Sequence, residues 1–370
     1  MRPMFIPTRQ VQLHSVLIFA LSLSLAGILS SQNSSAQTSA YTVIEIALAG
    51  EIPTRLNNLG DVVGRGGGSG QAQAMFWTRG NMQAKRLGAL LGGDYSSASA
   101  INDAGEITGL SNTATSVVPF IWKPKGGWQQ IPLLPGDNGG QGLGINKSGD
   151  VVGYSSGPNG TRAFRWARRE GIRNLGCLPG GNYSRARAVN DSAQVVGMSA
   201  SPAGDRAILW TKDGQVRDLG TLPGDTASEA IAINNAGAVV GYSKGSGGLR
   251  AFLWTAATGM QNVGALPGGN ASRALDINDA GCVVGSSSSS SGDHAFIWTK
   301  QDGMTDLNSA ASAALGVVFV EAHAINNAGQ ILILGKAMPD GDSSRATVHS
   351  EHDCAVSPAT AFLLTPAPAK

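Results

Sequence analysis

Short apolar stretches separated by turns rich in Gly, Asn and Asp recur along the chain from residue 41 onward. The most regular unit is an Asn, a tight polar turn and a β-branched pair. It reads LNNLGDVVG (56–64), INDAGEITG (101–109), INKSGDVVG (145–153), VNDSAQVVG (189–197), INNAGAVVG (233–241), INDAGCVVG (277–285) and INNAGQILI (325–333). The shared Asn falls at 57, 102, 146, 190, 234, 278 and 326, a period of about 44 residues. A second unit follows each time: MFWT (75–78), PFIW (119–122), AFRW (163–166), AILW (207–210), AFLW (251–254), AFIW (295–298) and AFLL (361–364). A third unit, LPGG or LPGD, leads into the next copy at 178–181, 222–225 and 266–269.

Each copy therefore predicts four short strands. Strand a runs into the Asn, and the Asn-Asp-Ala-Gly turn suits a hairpin because Asn and Gly tolerate positive φ and Asn caps nearby N–H groups. Strand b is the Val-Val-Gly segment, strand c the Phe-x-Trp segment, and strand d a short polar-apolar piece such as 259–264. Phe and Trp stand two apart, share one face and are expected in the core. Four positions before the Asn stand Ala98, Gly142, Ala186, Ala230, Ala274 and Ala322, small enough to let sheets converge near an axis. The predicted fold is an all-β, seven-bladed β-propeller spanning 41–366. The last copy lacks a strand d, and an orphan strand 41–47 precedes the first copy. Pairing 41–47 with 361–365 would close the propeller and remove both free edges.

Composition adds a compartment. Residues 1–36 begin with Arg2 and Arg9, continue with the apolar run 16–29, and end with Ser34-Ser35-Ala36. That is the pattern of a signal peptide cleaved near Ala36, with 37–40 as a linker, and the run is shorter than the roughly 20 residues of a spanning helix. The expected location is extracellular or periplasmic, with no transmembrane segment in the mature chain. The leader carries two of the 27 basic residues and none of the 25 acidic ones, so the mature chain balances at 25 against 25. A neutral chain argues against nucleic acid as a partner. Cys177, Cys282 and Cys354 show no disulfide spacing.

The combination of INDAG, VVG, AFLW and LPGG over nearly all of the mature chain resembles the HAF repeat family of bacterial extracellular proteins. His294-Ala295-Phe296 carries the tripeptide once, and Arg162, Arg206 and Arg250 replace the His elsewhere. The resemblance implies secretion and a bacterial source; it carries over no activity.

Several positions invite chemistry. Asp276-Ile277-Asn278-Asp279 is the nearest approach to a calcium loop, but other copies lack the first acid, so the Asn is read as a turn cap. LPGG is followed by no helix and no Lys-Ser/Thr, which excludes a phosphate loop. Ser286–Ser291 reads as a flexible loop. The last copy carries an insertion, 334–358, between strands b and c, containing the weak metal candidates His349, Glu351, His352 and Asp353. Residues 367–370 form a tail.

In a four-stranded blade the a–b and c–d turns share one face, and the b–c and d–a loops share the other. The first face is nearly uniform among copies; the second carries the variation. Five positions before the Asn, Arg185, Glu229, Arg273 and Glu321 alternate in sign, which predicts mutual salt bridges around the axis. The expected ligand site is this variable mouth, with Tyr183, Arg185, Arg187, Arg273, His323, Glu229 and Glu321 in contact. The function read from the sequence is a secreted, non-catalytic, monomeric binding or scaffold protein without a cofactor. Its partner would be a glycan, a protein or a small molecule. Two alternatives stand beside it: a glycan-cleaving enzyme at the mouth, with Glu229 and Glu321, two blades apart, as candidates by position alone, and a structural component of an envelope or matrix.

Overall fold

The computed structural model describes residues 41–46, 50–67, 72–80, 82–311, 316–337 and 360–367. The expected leader and linker (1–40), Cys354, the metal candidates His349, Glu351, His352 and Asp353, and the end of the tail lie outside them. The fold is all-β and propeller-like. Repeat 5 is typical: strand a Ala227–Ile233, b Val239–Gly245, c Gly248–Thr255 and d Gly259–Asn262 pair in order as an antiparallel meander. The sequence reading did not include the short helix Asn308–Ala311, which lies between repeats 6 and 7.

The sheet count corrects the expectation of seven separate, equal blades. The strands form five four-stranded sheets and one of eight strands. Repeats 2 and 3 share a sheet because Gly139, opening strand a of repeat 3, pairs in parallel with Val117 of repeat 2. Among the described residues every sheet is an open ribbon, and none closes on itself. The N-terminal strand Tyr41–Glu45 pairs antiparallel with Thr360–Pro366, from Tyr41↔Pro366 to Glu45↔Phe362. It stands where strand d stands in other repeats.

Two segments differ from expectation. Ser286–Ser289, read as flexible, belong to strand b of repeat 6, Val283–Ser289. Residues 334–337, assigned to the insertion, extend strand b of repeat 7, Ile331–Ala337. In both cases hydrogen bonding to flanking strands outweighs weak local β-propensity.

The Asn turn forms because one side chain satisfies several backbone groups. In repeat 4, Asn190 Oδ1 accepts from the N–H of Ser192 (3.1 Å) and of Gln194 (3.0 Å). Its Nδ2 does something the sequence did not reveal: it donates to the main-chain oxygen of the next repeat's Asn, Asn234, at 3.1 Å. The same bond links 57 to 102, 102 to 146, 146 to 190, 234 to 278 and 278 to 326, and Asn326 donates to Asn57 O at 3.0 Å.

The core lies between successive sheets. Val196, Leu209 and Leu222 from repeat 4 and its exit loop pack against Phe252 and Trp254 of repeat 5. Ala98, Ala186, Ala230, Ala274 and Ala322 are fully buried, as close approach of the inner strands requires. Serines stitch the units together. Ser96, Ser184, Ser228 and Ser272 accept from the N–H of Ala74, Ala163, Ala207 and Ala251 in the preceding repeat. A buried Ser left without such a partner would be costly.

Candidate functional site: the axial channel and its mouth

Strand a is the innermost strand, and it carries an irregularity at the same place in every repeat. In repeat 4 the pairing steps from Ala186↔Gly197 to Ala188↔Val196, leaving Arg187 as the extra residue. A bulge re-aims the residue it contains. Here it brings forward Arg187 and, in repeat 7, His323, whose neighbours Ala322 and Ala324 keep their partners. The sequence singles out both residues but not the bulge that carries them.

Two cavities occupy the region bounded by these strands. The first, of about 190 Å³, is bounded by matching turn residues from all seven repeats. At its rim stand Asn58, Asp103, Lys147, Asp191, Asn235, Asp279 and Asn327. Most are tied together: Asn58 N–H donates to Asp103 Oδ1 (2.8 Å), Asn235 N–H to Asp279 Oδ1 (2.9 Å), and Asn327 N–H to Asn58 Oδ1 (2.9 Å). Burial works against a charge on Asp279. The N–H of Asn235 and the amides of Asn327 and Asn235 nevertheless hold its carboxyl below the usual range. Leu56, Ile101, Ile145, Val189 and Ile233 line this cavity and a second one of about 160 Å³, which also includes Arg55, Arg187 and Asp276. Burial raises the Asp276 carboxyl, and the Arg55 charge and the N–H groups of Ile325 and Ile277 pull the other way.

The sequence-predicted mouth residues come together in three groups. Arg187 Nε lies 2.6 Å from Glu229 Oε1, and Tyr242 O–H donates to Glu229 Oε2 at 2.5 Å. Burial and the Glu229 hydrogen bond push the Tyr242 phenol well above its ordinary value. Arg273 Nη2 lies 2.9 Å from Glu321 Oε2. His323 Nε2 sits 2.6 Å from Glu321 Oε1. Burial opposes ionisation of Glu321, but His323, Arg273 and Ser286 together hold its carboxyl below the usual range. The third group is Arg185, whose guanidinium lies 4.6 Å from the Tyr154 ring centre and 5.8 Å from that of Tyr183.

The expected alternating salt bridges are thus corrected in part. Arg273 pairs with Glu321 as expected. Glu229 takes Arg187 instead of Arg185, because the bulge swings Arg187 toward the next repeat. Tyr154 and Tyr242 were missed. Each is the cross-strand partner of an inner-strand residue, Gln141 and Glu229, which is a register relation that only pairing reveals. Cys177 and Cys282 are free and half-buried. Among the described residues there is no cluster of His, Cys, Asp and Glu suited to a metal, and no helix long and apolar enough to cross a membrane.

Repeated four-stranded meanders, packed face to face around cavities bounded by their inner strands, define a propeller-like repeat protein. The solved structures similar to it are β-propeller proteins. A streptogramin B lyase aligns over 90% of this chain and 100% of its own, with a TM-score of 0.55 and 14% identity. The virginiamycin B lyase of Staphylococcus aureus aligns over 88% and 98%, at 0.52 and 11%. An oligogalacturonate lyase in complex with manganese aligns over 90% and 94%, at 0.55 and 11%. Identities this low show the fold alone. No protein-family model matches the chain, and no curated protein matches it in sequence.

Proposed function

We propose that this chain is a secreted bacterial binding or scaffold protein of the HAF-repeat type, a closed seven-bladed propeller that takes its ligand at the variable b–c/d–a mouth. Three features support closure: the pairing of 41–45 with 362–366, the Asn326-to-Asn57 bond, and packing of Ile46 and Leu363 against Val62 and Trp77 of repeat 1. The apolar leader supports secretion.

The observation that carries the binding reading is the set of contacts the mouth residues make across neighbouring repeats: Arg187 with Glu229, Arg273 with Glu321, His323 beside Glu321, and Arg185 against Tyr154 and Tyr183. Polar and aromatic groups held on rigid inner strands next to variable loops suit recognition. The glycan-cleaving alternative fits less well. A general acid needs a carboxyl kept protonated, whereas Glu321 is held ionised and Glu229 is occupied by Arg187 and Tyr242.

The test is a glycan and small-acid binding screen on the full chain and on the Arg273→Ala, His323→Ala double variant. Binding by the full chain that is lost in the variant, with little change in melting temperature, is expected. Binding that survives in the variant and disappears on altering the Asn-Asp-Ala-Gly turns would place the ligand on the opposite face.

A further inference from the structure

Three arginines and two glutamates meet at the mouth, and their pairing is uneven. Arg187 is matched by Glu229 and Arg273 by Glu321. The Arg185 side chain makes no hydrogen bond and no ion pair among the described residues. Its Nε is buried without an acceptor. Its guanidinium is instead held against tyrosines, with Tyr154 beneath it and Tyr183 beside it. Tyr154 is itself fixed, its hydroxyl donating to Gln141 Oε1 at 3.2 Å. A buried guanidinium N–H without an acceptor is unfavourable unless something else supplies one, and carboxylates bind a guanidinium two bonds at a time.

We propose that Arg185, framed by Tyr154 and Tyr183, is the receptor for a single carboxylate on a ligand whose remainder presents an apolar face to the tyrosines. The inference rests on the mouth being the binding face. Charge selects the class. Glu229 and Glu321 each already face an arginine, and the guanidinium left without a carboxylate, Arg185, suits a monoanion better than a dianionic phosphate. Ring faces select the rest of the molecule: tyrosine packs on the C–H face of a sugar or on another aromatic ring. Uronic-acid sugars and aromatic acids share this chemistry.

The experiment is ligand-observed NMR titration of the full chain with matched probes. One pair is 4-methylumbelliferyl glucuronide and the corresponding glucoside; the other is hippurate and its amide; inorganic phosphate is the dianion control. At least one acid is expected to bind roughly 10- to 100-fold more tightly than its neutral twin, and the pair that shows the preference identifies the source. Arg185→Met is expected to abolish the preference, Arg185→Lys to keep part of it, and phosphate to compete weakly. Melting curves identify a variant that fails to fold, in which case the lysine variant decides. The proposal is overturned if neither acid is preferred, if phosphate binds best, or if the preference survives both substitutions. If a neutral probe binds and is lost in the Arg273→Ala, His323→Ala double variant, the mouth stands and only the carboxylate receptor falls. If binding of every probe depends on the Asn turns, both fall.

Discussion

Replacing Asn190 by Ala tests what joins one repeat to the next. The side chain makes four hydrogen bonds: to Asn234 O (3.1 Å), to Gln194 Oε1 (2.8 Å), and from the N–H groups of Ser192 and Gln194. Asn190 is 4% exposed, so water cannot replace them all. Two of the abandoned partners are main-chain groups at the buried turn, Gln194 N–H and Asn234 O. At about 1–3 kcal/mol for each group left unpaired, the variant should lose roughly 2–6 kcal/mol. Urea unfolding followed by tryptophan fluorescence measures it. Asn190→Asp separates the two roles: its oxygens still cap the turn, but the donor to Asn234 is gone and a carboxylate oxygen faces a carbonyl. It should lose most of what alanine loses. Asn326→Ala should cost as much as Asn190→Ala, because its bond to Asn57 is of the same kind. A loss under about 0.5 kcal/mol for Asn190→Ala, or a wild-type Asn190→Asp, would refute the claim that these links hold the repeats together.

Three further outcomes are expected. The Asp276 carboxyl is raised in the fold, so its contribution is fully present below the unfolded value and is lost as pH rises through the folded one; Asp276→Asn should therefore gain on the wild type as pH rises above about 4, and parallel melting curves would contradict this. An ideal Cβ on Gly197 would lie 2.0 Å from Arg185 O, so Gly197→Ala should cost about 2–3 kcal/mol or prevent folding. Gly220→Ala, with φ +80° and open space around it, should cost only about 1 kcal/mol; equal thermal shifts would show that the close approach is relieved by backbone movement. Removing residues 41–46 unpairs the edge of Thr360–Pro366 and should lower and broaden the melting transition, while an unchanged transition would mean that this edge needs no partner.

The periodic features were legible because each answers the same local demand in every copy. The Asn caps its turn, the alanines permit close packing, and Trp77, Trp166, Trp210 and Trp254 are buried on strand c. What escaped the sequence depends on which strand lies beside which. Ser111, Ser155, Ser199, Ser243 and Ser287 each stand nine residues after the repeated Asn and accept from a loop leucine N–H. Their spacing was visible, but the role needs a partner 21 residues upstream. Ser287 was hidden further inside a low-complexity serine run. The bulge at Arg187 and His323 left no residue signature at all, since Thr, Ser, Leu, Arg, Ile and His occupy that place in different copies. The mouth residues were found by position, yet the choice of Arg187 over Arg185 by Glu229 follows from that bulge.

The forward-pointing Asn link has a consequence for how such a chain can change in length. Every repeat brings one donor, the Nδ2 of its Asn, and one acceptor, the main-chain oxygen of the same residue. A duplicated or deleted 44-residue copy therefore leaves no donor or acceptor of this set unmatched, whichever copy it is. The bonding is indifferent to the number of members. That number must be set elsewhere, by how closely the small inner-strand residues and the aliphatic side chains beneath the Asn turns allow neighbouring sheets to lean together. Gene duplication would thus meet its resistance in side-chain volume near the axis and not in hydrogen bonding, and a single enlarged alanine at position 186 or 230 bears on the angle of the whole array.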